Sequence, residues 1–363
     1  MKLKTLQITG FRNIRKIRLD LDEKSDICAL TGPNGHGKTN ILEAIFLLAI
    51  SKSFRTNENM DMIGFDDDFC SLSASFVKDG EDISHELIIT KNPPKKTLKI
   101  NGVIKKASDF IGDLNVVFFS PDDIGMIHLS PNTRRRYLDL LLSQLDRDYL
   151  EDSLNYQQAI KQRNSLLKLI SDGKANEEEL EFWDAKLAEH GLRIINKRKS
   201  IVGELNSRSS EIYKKVSGEK DELTIRYETS ISAEDTAGYM EKLFAGRKRD
   251  IINGSSGLGP HRDDLIFLNN GHDMKSFASR GEWRSLVLTL KFTEIDLLKN
   301  KKGYYPILLL DDVFSELDDD RQKILFNMIK NSQTFITTTH KEFLDVVEGE
   351  KRILEVTDGS IKS

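Results

Sequence analysis

Two observations predict an α/β fold with an antiparallel β-subdomain and an inserted α-helical lobe. Residues 2–31 and 71–119 contain short stretches in which apolar and polar residues alternate, which is the pattern of half-buried strands. Residues 133–171 contain neither Gly nor Pro and are rich in charge, as expected of helices. The β-rich and helical patterns therefore occupy separate parts of the chain.

The order of these patterns predicts a discontinuous core. After Asp250 the chain passes through a loop, INGSSGLGPHRDD, and then alternates strand and helix as far as Glu355. We therefore assign 1–123 and 251–363 to one domain and 124–250 to the inserted, mainly helical lobe. A chain of 363 residues is long enough for two such domains.

Composition excludes several functional classes. With 38% apolar residues, 31% charged residues and 7 prolines, the chain has the character of a compact protein, neither disordered nor fibrous. Its net charge of −4 comes from 54 basic and 58 acidic residues, so it has no polycationic character. Any contact with nucleic acid must therefore use local basic patches.

The cysteines and the apolar runs indicate the compartment. Cys28 and Cys70 form no CxxC pair, which argues against a zinc site or a disulfide framework and favours a reducing environment. The most apolar run, residues 41–50, contains Glu43 and is too short for a membrane span. The first residues lack the apolar segment of a signal peptide. We expect a cytoplasmic protein with no membrane partner.

The β-rich regions read as two groups of strands. In the first, Ile17, Leu19 and Leu21 alternate with polar residues, and 27–30 form a buried apolar strand before a glycine-rich turn. In the second, Asn101-Gly102 supplies a hairpin turn, and residues 116–119 add another buried strand. We interpret residues 71–119 as an antiparallel subsheet.

An apolar stripe marks the helical lobe. Leu180, Leu187, Ile194 and Ile201 recur every seven residues, so they share one face of a helix. We expect this stripe to pack within the lobe, although a coil that binds a partner would give the same repeat. Residues 177–218 would span roughly 60 Å as one helix, which is a lobe and not a long arm.

A phosphate-binding loop follows the buried strand 27–30. The sequence GPNGHGKT fits G-x-x-x-x-G-K-[ST] and precedes an apolar helix, the context in which this motif binds nucleotide. Backbone N–H groups and the helix N-terminus would hold the phosphates, with Lys38 bridging the β- and γ-phosphates and Thr39 binding Mg²⁺. The residues assigned to ATP here are Gly32, Pro33, Asn34, Gly35, His36, Gly37, Lys38, Thr39 and Asn40.

A second apolar strand ends in two carboxylates. ILLLDD, residues 307–312, is the expected partner of such a loop in a phosphate-binding ATPase. Asp311 would hold Mg²⁺. Asp312 would point toward the γ-phosphate and position or deprotonate the attacking water. A simple turn at the end of a strand is the alternative.

Three further segments narrow the class of ATPase. The tetrapeptide SRGE, which contains Ser279, Arg280 and Gly281, precedes an apolar-periodic helix. It resembles the signature loop of ABC ATPases, although such a tetrapeptide is also a common helix N-cap. Residues 315–318, SELD, resemble their D-loop, and His340 after the next strand resembles their switch histidine. Together with the two carboxylates, these segments resemble the head of the ABC/SMC superfamily.

That resemblance implies ATP sandwiched between two protomers. Lys38 of one subunit and Ser279 with Gly281 of the other would embrace the same nucleotide, so that a monomer hydrolyses poorly. Lys38, Asp312 and His340 would form the catalytic set. The implied assembly is an ATP-dependent homodimer.

The motifs sharpen the resemblance to the RecF family. RecF proteins share an N-terminal F-R-N, the G-x-N-G-x-G-K-T-N loop, F-S-P-D-D, G-P-H-R-D-D and S-x-G-x-x-R, which here are residues 11–13, 32–40, 119–123, 259–264 and 279–284. The resemblance implies an ATP-dependent DNA-binding protein of recombinational repair. It would act with RecR and RecO at single-strand gaps and duplex junctions and favour RecA assembly.

Several positions depart from the wider ABC pattern. Residues 119–121 read FSP where ABC proteins carry Gln, Asp312 stands where they carry Glu, and Arg280 replaces the first glycine of the transporter signature. Since Asp is shorter than Glu, we expect slow, weak hydrolysis that serves as a switch.

Basic residues supply the candidate contacts to nucleic acid. Arg12 and Asn13 lie close to the phosphate loop in sequence and are assigned to the nucleotide, with surface pairing as the alternative for Arg12. For DNA the candidates are three clusters, each of which could equally be a solvated face. They are Arg134, Arg135 and Arg136, then residues 197–199, and then Arg247, Lys248 and Arg249.

Two other functions share parts of this pattern. Another SMC-like repair ATPase would have the same head but a coiled-coil insertion of hundreds of residues. A nucleotide-binding subunit of an ABC transporter would couple ATP to a membrane partner. The helical insert and the missing glutamine argue against the transporter.

Overall fold

The computed structural model describes residues 1–21, 25–128, 130–218, 221–344 and 349–362. The strands of these segments, numbered in chain order, are β1 (Lys2–Phe11), β2 (Ile14–Asp20), β3 (Ile27–Thr31), β4 (Phe69–Lys78), β5 (Glu81–Thr90), β6 (Lys95–Ile100), β7 (Val103–Lys105), β8 (Val116–Phe119), β9 (Leu223–Glu228), β10 (Asp264–Asn269), β11 (His272–Asp273), β12 (Ile307–Asp311), β13 (Thr334–Thr338), β14 (Lys351–Thr357) and β15 (Ser360–Lys362).

The helices vary from single turns to one of 38 residues. They are α1 (Lys38–Ile50), α2 (Ala107–Phe110), α3 (Gly125–His128), α4 (Pro131–Leu145), α5 (Arg147–Ser171), α6 (Leu180–Ser217), α7 (Thr236–Asn253), α8 (Met274–Phe277), α9 (Arg280–Lys302) and α10 (Asp319–Ile329). The chain forms two compact units: unit 1 is Met1–Ile124 with Arg284–Ser363, and unit 2 is Gly125–Trp283.

Unit 1 contains two sheets. One is antiparallel, in the order β2-β1-β4-β5-β6-β7, and the other has the order β15-β14-β3-β13-β12-β8, parallel except for β15. Strand β3 is buried along its whole length and pairs with β13 and β14. Such a strand, covered on both sides, reads as a continuous apolar run, which is why it is recognisable in the sequence.

The antiparallel subsheet differs from the prediction at one strand. The Asn101-Gly102 turn joins β6 to β7, and both residues have positive φ, as the short hairpin requires. However, β8 pairs in parallel with β12 and belongs to the other sheet. A short, fully apolar strand shows no alternation that would assign it to one sheet.

Unit 2 is built around the long helix α6, which packs against α5, α7 and β9. The four stripe residues from Leu180 to Ile201 are all buried within this unit, so the expectation that the stripe packs inside the lobe is confirmed. The unit also contains a three-stranded antiparallel sheet, β11-β10-β9. This sheet extends unit 2 to Trp283, whereas the sequence placed the boundary at 250, because strand patterns after 250 were attributed to the core.

A buried ion-pair network lies inside unit 2. The Arg163 side chain is fully buried and donates to Asp184 Oδ1 at 2.6 Å and to Asp250 Oδ2 at 2.7 Å. Asp184 also accepts from Arg247 at 2.7 Å, so two guanidinium groups and two carboxylates compensate one another, and removal of any one would leave a buried charge without its partner. Separately, none of the helices in the described segments has the length and apolarity needed to cross a bilayer.

Candidate functional site

The candidate site lies where β3 and β12 of unit 1 end. The loop after β3 carries positive φ at Gly32, Gly35 and Gly37, conformations that glycine adopts at little cost. Gly37, with φ +106°, caps α1, which begins at Lys38. The loop therefore ends at a helix N-terminus, where N–H groups lack intrahelical partners and favour anions.

Lys38 is buried and folds back onto its own loop. Its Nζ donates to the carbonyl oxygens of Gly32 at 2.6 Å and Pro33 at 2.9 Å. Burial lowers the pKa of Lys38, while the charges of Asp312 and Asp311 raise it. Lys38, Asp311 and Asp312 line one cavity.

Asp311 links the loop to the strand. Its Oδ1 accepts hydrogen bonds from the hydroxyls of Thr39 at 2.8 Å and Thr337 at 2.7 Å. Carboxylate and hydroxyl oxygens together form a donor set that suits Mg²⁺. The pair assigned to a metal from the sequence, Thr39 and Asp311, is therefore brought together.

Asp312 adopts a left-handed conformation, φ +50°, which is uncommon outside glycine and clusters at functional sites. Its N–H donates to the Thr337 hydroxyl at 3.0 Å. Burial raises the pKa of the Asp312 carboxyl, Asp311 raises it further, and Lys38 lowers it. Among the described side chains, Asp312 Oδ1 is one of the buried atoms with no hydrogen-bond partner.

An open cavity of about 750 Å³ joins these groups. The predicted residues that line it are Arg12, Asn13, Asn34, Gly35, Gly37, Lys38, Thr39, Asn40, Asp311 and Asp312. Gly32, Pro33 and His36 support the loop from outside this lining. His340 lies just after β13 with its side chain 61% exposed, so it is not held in the cavity, although its charge lowers the pKa of Asp312.

Arg12 is held by a buried acid. Its Nη2 donates to Glu43 Oε1 at 2.8 Å and its Nη1 to the Asp61 carbonyl at 2.9 Å, while Glu43 is fully buried. This partner is buried, so the pairing is not the surface pairing considered as the alternative; Arg12 also lines the cavity, and its assignment to the nucleotide stays a prediction. Asn13 instead contacts the phosphate loop, donating to Gly35 O at 3.2 Å and accepting from Asn40.

The chain is similar to known proteins over nearly its whole length. The RecF/RecN/SMC N terminal domain family matches residues 2–362. The DNA replication and repair protein RecF of Lachnoclostridium phytofermentans is 38% identical over 100% of this chain and 99% of its own, and that of Bacillus cereus is 37% identical over 99% and 98%. A solved chain of the recombination mediator protein RecF with ATPrS in the RecFOR pathway has a TM-score of 0.91 at 34% identity, covering 99% of this chain and 97% of that one.

The chain belongs to the RecF family. A second solved RecF chain, with ATP, has a TM-score of 0.87 at 34% identity and covers 99% and 98% of the two chains. An Smc head bound to the C-winged helix domain of ScpA has a TM-score of 0.56 at 16% identity, covering 100% and 96%, which shows a shared fold. The predicted α/β fold of an ABC/SMC-type ATPase head is thereby confirmed.

The signature segment of this RecF-family chain lies in unit 2, at the start of α9. Ser279 and Arg280 are exposed, and Gly281 is half-buried. The Ser279 hydroxyl and N–H both donate to Glu282 Oε2 at 2.7 Å, and Glu282 N–H donates back at 3.3 Å. This is a capping box, and these hydrogen bonds lower the pKa of Glu282.

The RecF motif GPHRDD builds the interior of unit 2. The Asp264 carboxylate accepts hydrogen bonds from Nε and Nη2 of Arg134, both at 2.7 Å. The Pro260 carbonyl oxygen accepts one from Arg198 Nη1 at 2.7 Å. Arg134 is 2% exposed, so the guanidinium proposed as a DNA contact is engaged by Asp264 inside the unit. Arg198, from the second cluster, is buried in the same way.

Of the other basic candidates, some are paired within unit 2 and others are exposed. Arg135 donates to the Asp263 carbonyl, and Arg247 pairs with Asp184 at 2.7 Å and stacks over Phe244, so both are engaged within unit 2. Arg136, Lys248 and Arg249 are exposed. On a helix, three consecutive side chains point in directions about 100° apart, so a run of three cannot share one surface.

Several residues of the cavity were not predicted from the sequence. Arg55, Phe65 and Thr337 line it, and Phe65 is 97% exposed. An aromatic residue between Gly64 and three consecutive aspartates was the available signal for Phe65. Thr337 was hidden because a buried strand threonine has no distinctive pattern.

Proposed function

We propose that this chain is an ATP-dependent DNA-binding protein of the RecF type that dimerises on ATP and hydrolyses it slowly. The observation that carries this proposal is the convergence of Lys38, Thr39, Asp311 and Asp312 on one cavity. The two similar RecF chains solved with ATPrS and with ATP support ATP as the ligand.

The loop would bind the phosphates through its backbone. N–H groups at the start of α1 face an anion without competing intrahelical bonds. The Lys38 ammonium, which now donates to Gly32 O and Pro33 O, would exchange those bonds for the β- and γ-phosphates. Thr39 and Asp311 would hold Mg²⁺, which when bound neutralises phosphate charge.

Asp312 would act on the attacking water. Its unpartnered buried oxygen and raised pKa fit a carboxylate that accepts a proton in general-base catalysis. Asp is one methylene shorter than Glu, so its reach is smaller, which supports slow hydrolysis. The exposed His340 would join the site only in the assembled dimer.

Dimerisation would complete the site in trans. Ser279, Arg280 and Gly281 belong to unit 2, while the phosphate loop belongs to unit 1. The exposure of Ser279 and Arg280 leaves them accessible to the nucleotide of a second protomer. Their capping box holds the loop in one conformation, which supports recognition without reorganisation.

In the cell we propose a cytoplasmic role in recombinational repair. The chain would act with RecO and RecR at single-strand gaps and duplex junctions, and favour RecA assembly. Family membership and the relatives' description as DNA replication and repair proteins support this role. Contacts would fall on exposed basic residues such as Arg136, Lys248 and Arg249.

The test is a titration of labelled gapped duplex, with and without ATP and Mg²⁺, at several salt concentrations. We expect binding that requires ATP and weakens steeply with salt, because basic side chains that contact DNA phosphates release the counterions condensed on them. ATP binding without any ATP-dependent DNA binding, in the presence or absence of RecR, would contradict the proposal.

A further inference from the structure

The turn between β14 and β15, Asp358 and Gly359, lies against the phosphate loop. The Gly359 N–H donates to the His36 carbonyl at 3.0 Å. The Asp358 N–H donates to His36 Nδ1, also at 3.0 Å. Two consecutive N–H groups of this turn therefore hold one residue of the loop, through its backbone and its side chain.

The two backbones approach each other too closely for a side chain. A Cβ on Gly359, whose φ is +68°, would lie 2.1 Å from the Asn13 carbonyl oxygen. A Cβ on Gly32, with φ +142°, would lie 2.3 Å from the carbonyl oxygen of Val356 in β14. The first glycine of the loop thus packs on β14, and the β14–β15 turn packs on the residue before β2.

Asn13 lies between the turn and the loop. Its Nδ2 donates to Gly35 O at 3.2 Å and its Oδ1 accepts from Asn40 at 2.7 Å. A Cβ on Gly37 would lie 2.9 Å from Asn13 Oδ1. Displacement of the turn would therefore be transmitted to the loop at His36 directly and at Gly35 and Gly37 through Asn13.

We propose that the β14–β15 turn is a positioning element for the phosphate loop. A loop with three residues at positive φ has many alternative conformations, and binding is weaker when the ligand must select one of them. The turn restricts the peptide of His36, and so keeps the loop N–H groups directed into the cavity. The inference rests on the proposed binding of ATP by this loop.

The test compares two glycine substitutions in the full-length chain. Gly359→Ala introduces the contact with Asn13, whereas Gly303→Ala has a similar φ of +85° but no atom within 4 Å. We expect Gly359→Ala to weaken ATP binding by about tenfold or more, since small misplacements in a site have large effects. Gly303→Ala should bind ATP like the parent, and ATP should raise its melting temperature equally.

A second pair of variants avoids any folding defect of Gly359→Ala. His36→Ala removes the acceptor of the Asp358 N–H and should weaken ATP binding several-fold, while His36→Asn keeps an acceptor near that position and should restore most of it. If Gly359→Ala and His36→Ala both bind ATP as tightly as the parent, the inference is wrong. A parent that does not bind ATP would instead overturn the proposed function.

Discussion

The ammonium group of Lys38 is buried and donates to two carbonyl oxygens of its own loop. This position places the ammonium in the lining of the cavity, together with Thr39 and the two carboxylates. At the same time, the Thr39 to Asp311 hydrogen bond does not depend on Lys38. Loss of the amine should therefore affect nucleotide binding much more than folding.

We predict that Lys38→Ala weakens ATP binding at least about a hundredfold, because the loss of a charged hydrogen-bond donor at a phosphate costs several kcal/mol. Isothermal titration calorimetry measures the change. The matched control is Lys52→Ala, which removes an exposed lysine just after the same helix and should bind like the parent. Equal affinity for both variants would contradict the assignment of the loop.

At Asp312, the amide variant separates binding from hydrolysis. Asp312→Asn keeps the shape of the side chain but cannot accept a proton, so we predict ATP binding and dimerisation with hydrolysis reduced at least about a hundredfold. Phosphate release and light scattering measure the two properties. Undiminished hydrolysis, or a monomer in the presence of ATP, would show that Asp312 has another role.

Secondary-structure elements decide which basic residues can reach a ligand. Arg134 and Arg136 lie two positions apart on α4, yet Arg134 is buried against Asp264 while Arg136 is exposed. The sequence shows a run of three arginines. Which of them is buried can be predicted only when the buried face of α4 is known, because successive side chains on a helix point in different directions. That face is set by β10, which carries Asp264.

We predict that Arg134→Ala mainly affects stability, whereas Arg136→Ala mainly affects DNA binding. Arg134→Ala leaves Asp264 without its partner and should lower the free energy of unfolding of unit 2 by about 3 kcal/mol. Arg136→Ala should cost less stability than Arg134→Ala, because its side chain is exposed, and should reduce the salt dependence of DNA binding. Both tryptophans, Trp183 and Trp283, lie in unit 2, so their fluorescence in urea reports this unit. If DNA binding by Arg136→Ala depends on salt concentration as it does in the parent, Arg136 does not contact DNA.

The loop before β10 carries a pH-dependent group. Burial lowers the pKa of His261 to about 4, from an ordinary value of 6.5. Its ring is neutral in the fold: Nε2 donates to Ser256 O at 3.1 Å, and Nδ1 accepts from the Tyr156 hydroxyl at 2.8 Å. The unfolded chain therefore takes up this proton first as the pH falls.

We predict that protonation of His261 does not affect the free energy of unfolding of unit 2 above about pH 6.5. Between pH 6.5 and 4 this free energy should fall progressively, by up to about 3 kcal/mol. Urea unfolding followed by tryptophan fluorescence across this range is the measurement. His261→Gln cannot take up the proton and should show a flatter dependence. A parent and a variant with the same pH profile would exclude His261 as the cause.

At the scale of the molecule, nucleotide binding and assembly should be separable. Ser279 is exposed, belongs to unit 2, and makes its hydrogen bonds to Glu282, so it has no part in the phosphate loop of its own protomer. We predict that Ser279→Arg leaves ATP affinity within about twofold and abolishes ATP-dependent dimerisation by steric conflict, because a long guanidinium side chain replaces a small hydroxyl at the interface. Dimers of Ser279→Arg with ATP, seen by light scattering, would show that the segment is a helix cap alone.

Much of this architecture follows from local patterns. The loop at 32–39, the strand ending at Asp311 and the helix α6 were predicted because glycines, apolar runs and heptads report local structure. The sheet of β8, the end of unit 2 and the inward turn of Arg134 were not, because each depends on partners far away in the sequence. The β14–β15 turn was missed for the same reason: its contact with His36 spans more than 300 residues.

The pairing of β3 with β13 and β14 has a consequence for how the protein is made. A ribosome delivers β3 early, but its neighbours in the sheet emerge only after the whole of unit 2 has been translated. Since domains generally fold as units during synthesis, we expect unit 2 to fold on the nascent chain before β3 can pair with β13 and β14. During that interval we expect the apolar side chains of β3 and β8, and their unpaired backbone N–H and C=O groups, to be accessible to chaperones, while nucleotide cannot yet stabilise the fold.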